Sequence, residues 1–221
     1  DSTASPEEIA ATPLPTLLNL PIQQCWPDDG GRFITLPCVV TQDPDSGARN
    51  IGMYRMQVFD HQTTGMHWQL QKVPPRHGRR YYEKGERMPV SVFLGGDPVY
   101  PFCATAPLPD GLDELLLAGY LRRKSVPLVK CETNDLHVPA NADIVIEGYV
   151  STACGEIDWD PSSGEPLGPG AVFEGPFGDH TGYYSMPDRY PIVDVTAITH
   201  RKNAVFSATV VGPPPQEDYY I

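Results

Sequence analysis

The pattern of apolar and polar residues predicts a fold built mainly from short strands. The segment RFITLPCVVT at 32–41 is rich in β-branched and aromatic residues, which is typical of a strand. A turn is predicted at 43–47, where proline presets φ and glycine accepts a positive φ. Further strands are predicted at 50–59 and 66–71. The polar turn 60–65 joins them, so we expect an antiparallel hairpin.

One helix interrupts the later strand patterns. The residues DELLLAGYLRRK at 113–124 have acids in the first turn and bases in the last, with Asp110 or Asp113 as the N-cap. The remaining elements follow from apolar runs and flanking turn residues: strands at 89–94, 126–131, 143–151, 192–199 and 204–211, an irregular basic segment at 71–87, a loop at 154–170, and a turn at 200–203 that makes the last two strands a hairpin.

Composition supports a single domain of the α+β class. The chain has 221 residues, of which 25 are proline and 20 are glycine, too many for a helical bundle. Because most predicted strands are connected by hairpins, we expect a mainly antiparallel sheet or barrel. Residues 1–17 are expected to be a loose, proline-rich lead-in, and residues 18–221 the domain itself.

Charge and cysteine content exclude several classes of function. The formal net charge is −12, which disfavours nucleic acid and anionic membrane surfaces as partners. No apolar run approaches the roughly 20 residues that span a bilayer, so membrane insertion is not expected. The 5 cysteines form no CxxC pair, which argues against a disulfide framework or structural zinc and favours a cytoplasmic location.

Arg55 is the first candidate for chemistry, because it lies among apolar neighbours on a predicted strand. On one continuous strand, Met53, Arg55 and Gln57 would share a face. A guanidinium in such surroundings needs an anionic partner, so Arg55 would bind a carboxylate, of a substrate or of a nearby acid, with bidentate geometry. The alternative is an arginine at the rim of a barrel whose head reaches water.

His67 is a candidate metal ligand. It alternates with Met66 and Trp68 and so points away from whatever they bury. Without partners it would be a half-exposed histidine with one hydrogen bond. As a ligand it needs oxygen donors from elsewhere, and Asn50 and Glu114 are candidates. An amide oxygen, an imidazole and a carboxylate suit Mg²⁺ or Mn²⁺ better than zinc, but no local spacing brings the three together.

The segment EGPFGDHTG at 174–182 is the third candidate. Its glycines and proline define a compact loop that leaves the backbone open to a ligand. Glu174 and Asp179 would suit a proton relay, in which apolar surroundings hold one acid protonated and a cation such as Arg55 holds the other ionised. The alternative is a tight surface turn in which Asp179 binds only backbone amides.

Together these segments resemble the UbiD family of prenylated-flavin-dependent decarboxylases, over about residues 22–218. Any one of the matches could arise by chance, but six occur in the family's order at compatible spacings. The motifs that carry the resemblance are NIGMYRMQ at 50–57, GMHWQ at 65–69, PVSVFLGGDP at 89–98, APLPDGLDE at 106–114, LVKCETNDLHVPANADIVIEGYV at 128–150 and EGPFGDHTGYYS at 174–185.

The resemblance implies a split β-barrel of the flavin-reductase kind with one or two flanking helices. It also implies prenylated FMN as cofactor, with Mn²⁺ (or Mg²⁺) and a nearby K⁺. The metal ligands would be Asn50, His67 and Glu114. The implied flavin contacts are Thr35, Met53, Tyr54, Arg55, His67, Trp68, Ala104, Thr105, Ala106, Pro107 and Glu114.

The implied activity is that of a carboxy-lyase: reversible, non-oxidative decarboxylation of an aromatic or α,β-unsaturated carboxylic acid. Arg55, Glu174 and Asp179 match the family's arginine–acid–acid network. Arg55 would orient the substrate carboxylate, Glu174 would tune Arg55, and Asp179 is the favoured proton donor. A flavin prenyltransferase would supply the cofactor.

Family members are longer than this chain, with an N-terminal segment and a C-terminal oligomerisation domain that have no counterpart here. We therefore expect a fragment or a separate subunit, forming a homo-oligomer or complex when the missing domain is present. The alternative function is a flavin-binding module without turnover of its own.

Overall fold

The computed structural model describes residues 9–11, 16–68, 72–109, 111–154 and 170–220. Within these ranges the chain forms twelve strands and three α-helices. The strands are β1 Ile9–Ala11, β2 Arg32–Ile34, β3 Cys38–Gln42, β4 Arg49–Met53, β5 Met56–Val58, β6 Thr63–Met66, β7 Met88–Leu94, β8 Leu128–Lys130, β9 His137–Pro139, β10 Ile144–Val150, β11 Ala171–Glu174 and β12 Asp188–Arg201. The helices are α1 Val73–Glu83, α2 Val99–Thr105 and α3 Glu114–Arg122.

Ten strands form one curled, antiparallel sheet in the order β2-β5-β6-β12-β10-β7-β3-β4. The long strand β12 also pairs with β1 and β11. Because the terminal strands β2 and β4 do not pair with each other, the sheet is a half-barrel, and a separate hairpin joins β8 and β9. The expected mainly antiparallel α+β class is confirmed, with one helix more than the one or two implied.

Two apolar clusters lie on opposite faces of the sheet. Strand β7 belongs to both, since Val92 packs into the cluster that also contains Met56 and Trp68, whereas Phe93 packs beneath the helices. The second cluster includes Leu115 of α3. Packing of α2 and α3 against β3 and β4 places the start of α3 beside β4, where one part of the candidate site forms.

Two predicted strands are in fact interrupted. The segment 32–41 divides into β2 and β3 around Pro37, which has no N–H for a ladder. The segment 50–59 is broken at Tyr54 and Arg55, because β4 pairs with β3 whereas β5 pairs with β2 and β6. The face assignment that assumed one continuous strand through Arg55 was therefore wrong.

The basic segment predicted to be irregular contains helix α1. Pro74 and Pro75 lie in its first turn and favour a start there, since the N–H groups of a first turn have no intrahelical partner to lose. Helix α3 was predicted correctly: the Asp113 side chain accepts from Leu115 N at 2.8 Å. The other candidate cap, Asp110, lies outside the described residues, as do 69–71 of the third predicted strand and 155–169 of the predicted loop.

The predicted C-terminal hairpin is absent. Strand β12 runs through 192–199, and the segment 204–211 forms no strand. Side chains satisfy its backbone instead: Gln23 donates to Thr209 O at 2.8 Å and Trp26 Nε1 to Val211 O at 2.7 Å. Residues 9–11, within the lead-in expected to be loose, form β1. Among the described helices none is both long enough and apolar enough to cross a membrane.

Candidate active site

Arg55 and Glu174 form a buried, bidentate ion pair. Arg55 lies in the break between β4 and β5, and Glu174 ends β11. Arg55 Nε donates to Oε1 at 3.1 Å and Nη2 to Oε2 at 2.7 Å, while the two side chains are 14% and 2% exposed. Phe177 lies 4.5 Å below the guanidinium carbon. Arg55 therefore binds the carboxylate of a nearby acid, which was one of the two alternatives, and does not extend to water at a barrel rim.

His67 contacts the same carboxylate. It follows directly after β6, and its Nδ1 lies 2.9 Å from Glu174 Oε2. Its ring stacks on Tyr190 with centroids 4.4 Å apart, and its backbone N donates to Arg55 O at 3.2 Å. One carboxylate thus joins an arginine and a histidine from different strands.

The partners of Glu174 determine its charge. Burial raises the pKa of Glu174, but hydrogen bonds from His67 and Arg55, together with their charges, outweigh burial and bring the pKa below its ordinary value of 4.5. Glu174 is consequently ionised at neutral pH.

Asp179 lies on the same loop but has a different partner. Its Oδ1 accepts from His180 N at 2.8 Å and lies 2.8 Å from His180 Nδ1, and its side chain is 31% exposed. Burial raises the pKa of Asp179, but the hydrogen bonds from His180 and the charges of His180 and Arg55 lower it overall. Because each acid has its own donors, the expected contrast between a protonated and an ionised acid is not found.

The loop 174–182 is held by a second loop that sequence analysis did not single out. Gln57 bridges the two loops, since its amide donates to Gly30 O at 2.9 Å and accepts from Gly175 N at 2.7 Å. A Cβ added at Gly30 would lie 2.5 Å from the Cα of Gly175, so the two backbones touch. Buried Asp29 accepts from Gly178 N at 2.8 Å. These contacts join distant segments, and no local motif marks them.

Asn50 and Glu114 form a second part of the site. Each is only 9% exposed, and Ile51 N donates to Glu114 Oε2 at 2.9 Å. Asn50 Nδ2 is buried and has no hydrogen-bond partner among the described residues. Burial raises the pKa of Glu114 overall, although backbone hydrogen bonds and Arg49 oppose the increase. Both Asn50 and Glu114 line a cavity of about 190 Å³.

The chemistry of these donors fits a hard divalent cation, which prefers carboxylate and amide oxygens. Within the described ranges, no three His, Cys, Asp or Glu side chains cluster to hold a metal, so a metal here would need the amide of Asn50. The structure brings Asn50 and Glu114 together. No hydrogen bond or ion pair of the described residues joins His67 to either of them, because Glu174 holds its Nδ1.

Tyr54 packs against β4 near the Asn50–Glu114 pair. A Cβ at Gly52 would lie 2.5 Å from carbons of the Tyr54 ring, so glycine lets this ring lie flat against β4. Burial raises the pKa of Tyr54 to about 12, and the charge of Glu114 adds to the increase. Tyr54 is therefore a neutral phenol beside the Asn50–Glu114 pair.

The remaining predicted cofactor contacts lie on several elements. Thr35 is buried, and its Oγ1 accepts from Thr209 N at 2.9 Å. Trp68 is also buried, with an indole Nε1 that has no partner in the described part of the chain. Met53 ends β4 and is half-buried. The last four predicted flavin contacts lie at the C-terminal end of α2 and just beyond it; they are Ala104, Thr105, Ala106 and Pro107.

Comparison with known proteins identifies the family. The model of the UbiD family, the 3-octaprenyl-4-hydroxybenzoate carboxy-lyase Rift-related domain, matches residues 2–214. The chain belongs to the UbiD family. The resemblance inferred from the motifs is thereby confirmed.

Longer relatives of this UbiD domain occur in other organisms. It is 49% identical over 207 residues to an uncharacterized protein of Archaeoglobus fulgidus, covering 93% of the chain and 40% of that protein. It is 48% identical over 205 residues to a protein of Aquifex aeolicus, covering 93% and 39% respectively. The chain thus spans about two fifths of the length of these relatives.

Solved structures of UbiD-class enzymes share the fold. HmfF from Pelotomaculum thermopropionicum, in complex with prFMN, has a TM-score of 0.79 and 32% identity, with 93% of this chain and 44% of HmfF covered. Vanillic acid decarboxylase from Sedimentibacter hydroxybenzoicus, in closed form, has a TM-score of 0.83 and 27% identity, with 97% and 43% covered. The half-barrel described above is therefore the UbiD flavin-binding fold.

Proposed function

We propose that this UbiD chain is the cofactor-binding core of a prenylated-FMN- and Mn²⁺-dependent decarboxylase that acts reversibly on an aromatic or α,β-unsaturated carboxylic acid. The observation that carries the proposal is the buried Arg55–Glu174 pair, which also engages His67. A guanidinium held in this way presents a fixed cation to an anionic substrate. The prFMN complex of HmfF supports the choice of cofactor.

Further residues would hold the cofactor. Asn50, His67 and Glu114 would hold the metal, Mn²⁺ or Mg²⁺ with a nearby K⁺, and the unpartnered Nε1 of Trp68 offers a buried donor to a ligand. When bound, prenylated FMN would supply the electrophilic ring that accepts the electron pair left by cleavage of the carboxyl bond. The residues of the chain supply binding, orientation and proton transfer.

Arg55 would orient the substrate carboxylate. Its Nε and Nη2 are committed to Glu174, and no hydrogen bond of the described residues uses Nη1, which is free to bind a carboxylate oxygen. Because Glu174 balances the guanidinium charge, Arg55 would hold the carboxylate in place without retaining it too tightly to lose CO₂. Phe177, stacked beneath the guanidinium, limits its movement.

Asp179 would supply the proton that replaces the carboxyl group. Its lowered pKa leaves it ionised at rest, so it must first take a proton, and its partial exposure allows that proton to come from water or His180. Glu174 is far less accessible and is committed to Arg55 and His67. We therefore assign proton transfer to Asp179 and the tuning of Arg55 to Glu174.

The second candidate function is a flavin-binding module without turnover. It is favoured by one observation, namely that the longer relatives have most of their length outside the matched region. If the chain is such a module, residues 18–221 are the flavin domain. Further domains would then complete the substrate pocket and drive homo-oligomerisation.

The test is to co-express the chain with a flavin prenyltransferase and to measure flavin absorbance and metal content after purification. Carbon dioxide release is then assayed with a panel of aromatic and α,β-unsaturated acids. A folded chain that retains neither flavin nor Mn²⁺ would contradict both functions. Cofactor retention without CO₂ release, rescued by adding the rest of a longer relative in trans, identifies a split enzyme. Retention without rescue identifies the binding module.

A further inference from the structure

Glu174 makes a contact that its role beside Arg55 does not require. Its two oxygens accept from Arg55 Nε and Nη2, and Oε2 also lies 2.9 Å from Nδ1 of His67. Because a carboxylate in an ion pair with a guanidinium has no proton to donate, Glu174 can only accept from His67. The proton in this third hydrogen bond therefore belongs to Nδ1 of the imidazole.

We propose that Glu174 is a positioning residue that holds His67 in the Nδ1–H tautomer and thereby presents the Nε2 lone pair to the metal. A neutral imidazole can ligate a metal only through its unprotonated nitrogen, and the hydrogen bond at the other nitrogen selects which one that is. The inference rests on the proposed metal site for its consequence, but the tautomer itself is a property of the chain alone.

Other contacts determine the position of the imidazole ring. Tyr190 stacks on it at 4.4 Å with an interplanar angle of 37°, and the His67 backbone N is bonded to Arg55 O. These two contacts orient the ring plane but select neither tautomer, since neither involves a ring nitrogen. Within the described part of the chain no hydrogen bond uses Nε2. The choice of tautomer is thus left to Glu174.

One carboxylate would therefore serve both parts of the site. Through Arg55, Glu174 would influence how the substrate carboxylate is held, and through His67, how the metal is held. Histidine ligands of protein metals commonly donate their second N–H to a carboxylate, and loss of such a partner lowers metal affinity by about 10–100-fold. Substitution of Glu174 should reduce metal binding even though Glu174 is not a ligand.

The first experiment needs neither metal nor activity. The chain is labelled with ¹⁵N-histidine, kept metal-free at a pH where His67 is neutral, and examined by NMR for the protonation of each ring nitrogen. Signals of His67 are assigned by their loss in His67→Gln. A protonated Nδ1 and an unprotonated Nε2 are expected. The opposite tautomer, or an exchanging mixture, overturns the proposal without requiring any variant of Glu174.

Variants then test whether Glu174 is the cause. In Glu174→Gln the amide oxygen can still accept from Nδ1, so the tautomer should persist, whereas Glu174→Leu should release His67 to the Nε2–H form that water favours. Tyr190→Phe keeps the ring contact and should keep the tautomer. Retention of the Nδ1–H form in a folded Glu174→Leu chain overturns the proposal. If that variant does not fold, the wild-type and Glu174→Gln spectra decide.

Metal titration separates this inference from the proposed function. Mn²⁺ affinity, measured by electron paramagnetic resonance, should be about 10–100-fold weaker in Glu174→Leu than in Glu174→Gln. Equal affinities would overturn the positioning role. Absence of Mn²⁺ binding by the wild-type chain contradicts the proposed metal site, while the tautomer measurement stands independently.

Discussion

The two buried carboxylates of the candidate site differ in how their charges are compensated. Glu174 has a guanidinium and an imidazole as partners, and its pKa is lowered. Glu114 accepts a hydrogen bond from the backbone N–H of Ile51 in β4, and burial raises its pKa. Arg49, whose charge opposes this increase, forms its ion pair with Asp113.

Two other polar side chains that line the same cavity as Glu114 are also buried, those of Asn50 and His77. Asn50 has an unpartnered amide nitrogen. His77 is 6% exposed, and burial together with the charge of Arg76 lowers its pKa to about 4. The Nδ1 of His77 lies 3.1 Å from Thr41 Oγ1. The Glu174 centre thus has its charges paired within the chain, whereas Glu114 forms no ion pair among the described residues. This difference supports the proposal that Glu114, and not Glu174, is a metal ligand.

Removal of Arg55 should have the largest effect on stability. Arg55→Ala leaves a nearly inaccessible carboxylate without its guanidinium, and breaking a buried pair in this way costs about 3–5 kcal/mol. The matched control is Arg87→Ala, because Arg87 and Asp194 are 3.6 Å apart and about half exposed. The control should lose at most about 1 kcal/mol. Urea denaturation at pH 7 measures the free energy of unfolding of both variants. Equal losses would show that the buried Arg55–Glu174 pair contributes no more to stability than an exposed pair.

Addition of Mn²⁺ should stabilise the Glu114 region specifically. A ligand that binds only the folded state at 100 times its Kd adds about 2.7 kcal/mol. Glu114→Gln should abolish this gain without lowering the metal-free stability, since it removes an uncompensated buried charge. Glu83→Gln, a change at an exposed acid on α1, should retain the gain. Thermal unfolding with and without Mn²⁺ tests the comparison, and a full gain in Glu114→Gln would contradict it.

The packing of Tyr54 against β4 can be disturbed without changing any charge. Gly52→Ala would push the Tyr54 ring away from β4, at an expected cost of about 1–3 kcal/mol for overpacking. Gly119→Ala in α3 meets only an ordinary contact 3.5 Å from Lys124 O. It should stabilise the chain by up to about 1 kcal/mol, because alanine favours a helix interior. Denaturant midpoints of the two variants should therefore move in opposite directions.

A further expected effect is a pH dependence that originates in the Glu114 region. The pKa of His77 is about 4 when folded and ordinarily 6.5, so the unfolded chain takes up its proton first as the pH falls. This contribution is fully present above pH 6.5 and is lost progressively toward pH 4. In His77→Gln the decline over that window should be shallower. His61→Gln, at an exposed ring that makes no side-chain hydrogen bond among the described residues, should leave it unchanged, as measured by urea denaturation at stepped pH.

Elements with local signals were predictable from the sequence. The turn at 43–47 and helix α3 with its Asp113 cap depend on hydrogen bonds between residues a few positions apart. Helix α1 was missed in the segment predicted to be irregular, although prolines in a first turn favour a helix. The segment 204–211 was predicted to be a strand from its composition. Side chains distant in sequence satisfy its backbone instead.

The sequence by itself determined the mainly antiparallel class, the family and the identity of the candidate residues, since these depend on short-range periodicity and on motifs. Only the tertiary structure decided which residues meet. Glu174 lies 119 residues from Arg55 and 107 from His67, and the register of β11 on β12 and of β12 on β6 brings them together. Pairing at such separations depends on how strands associate across the whole sheet, which no local pattern encodes.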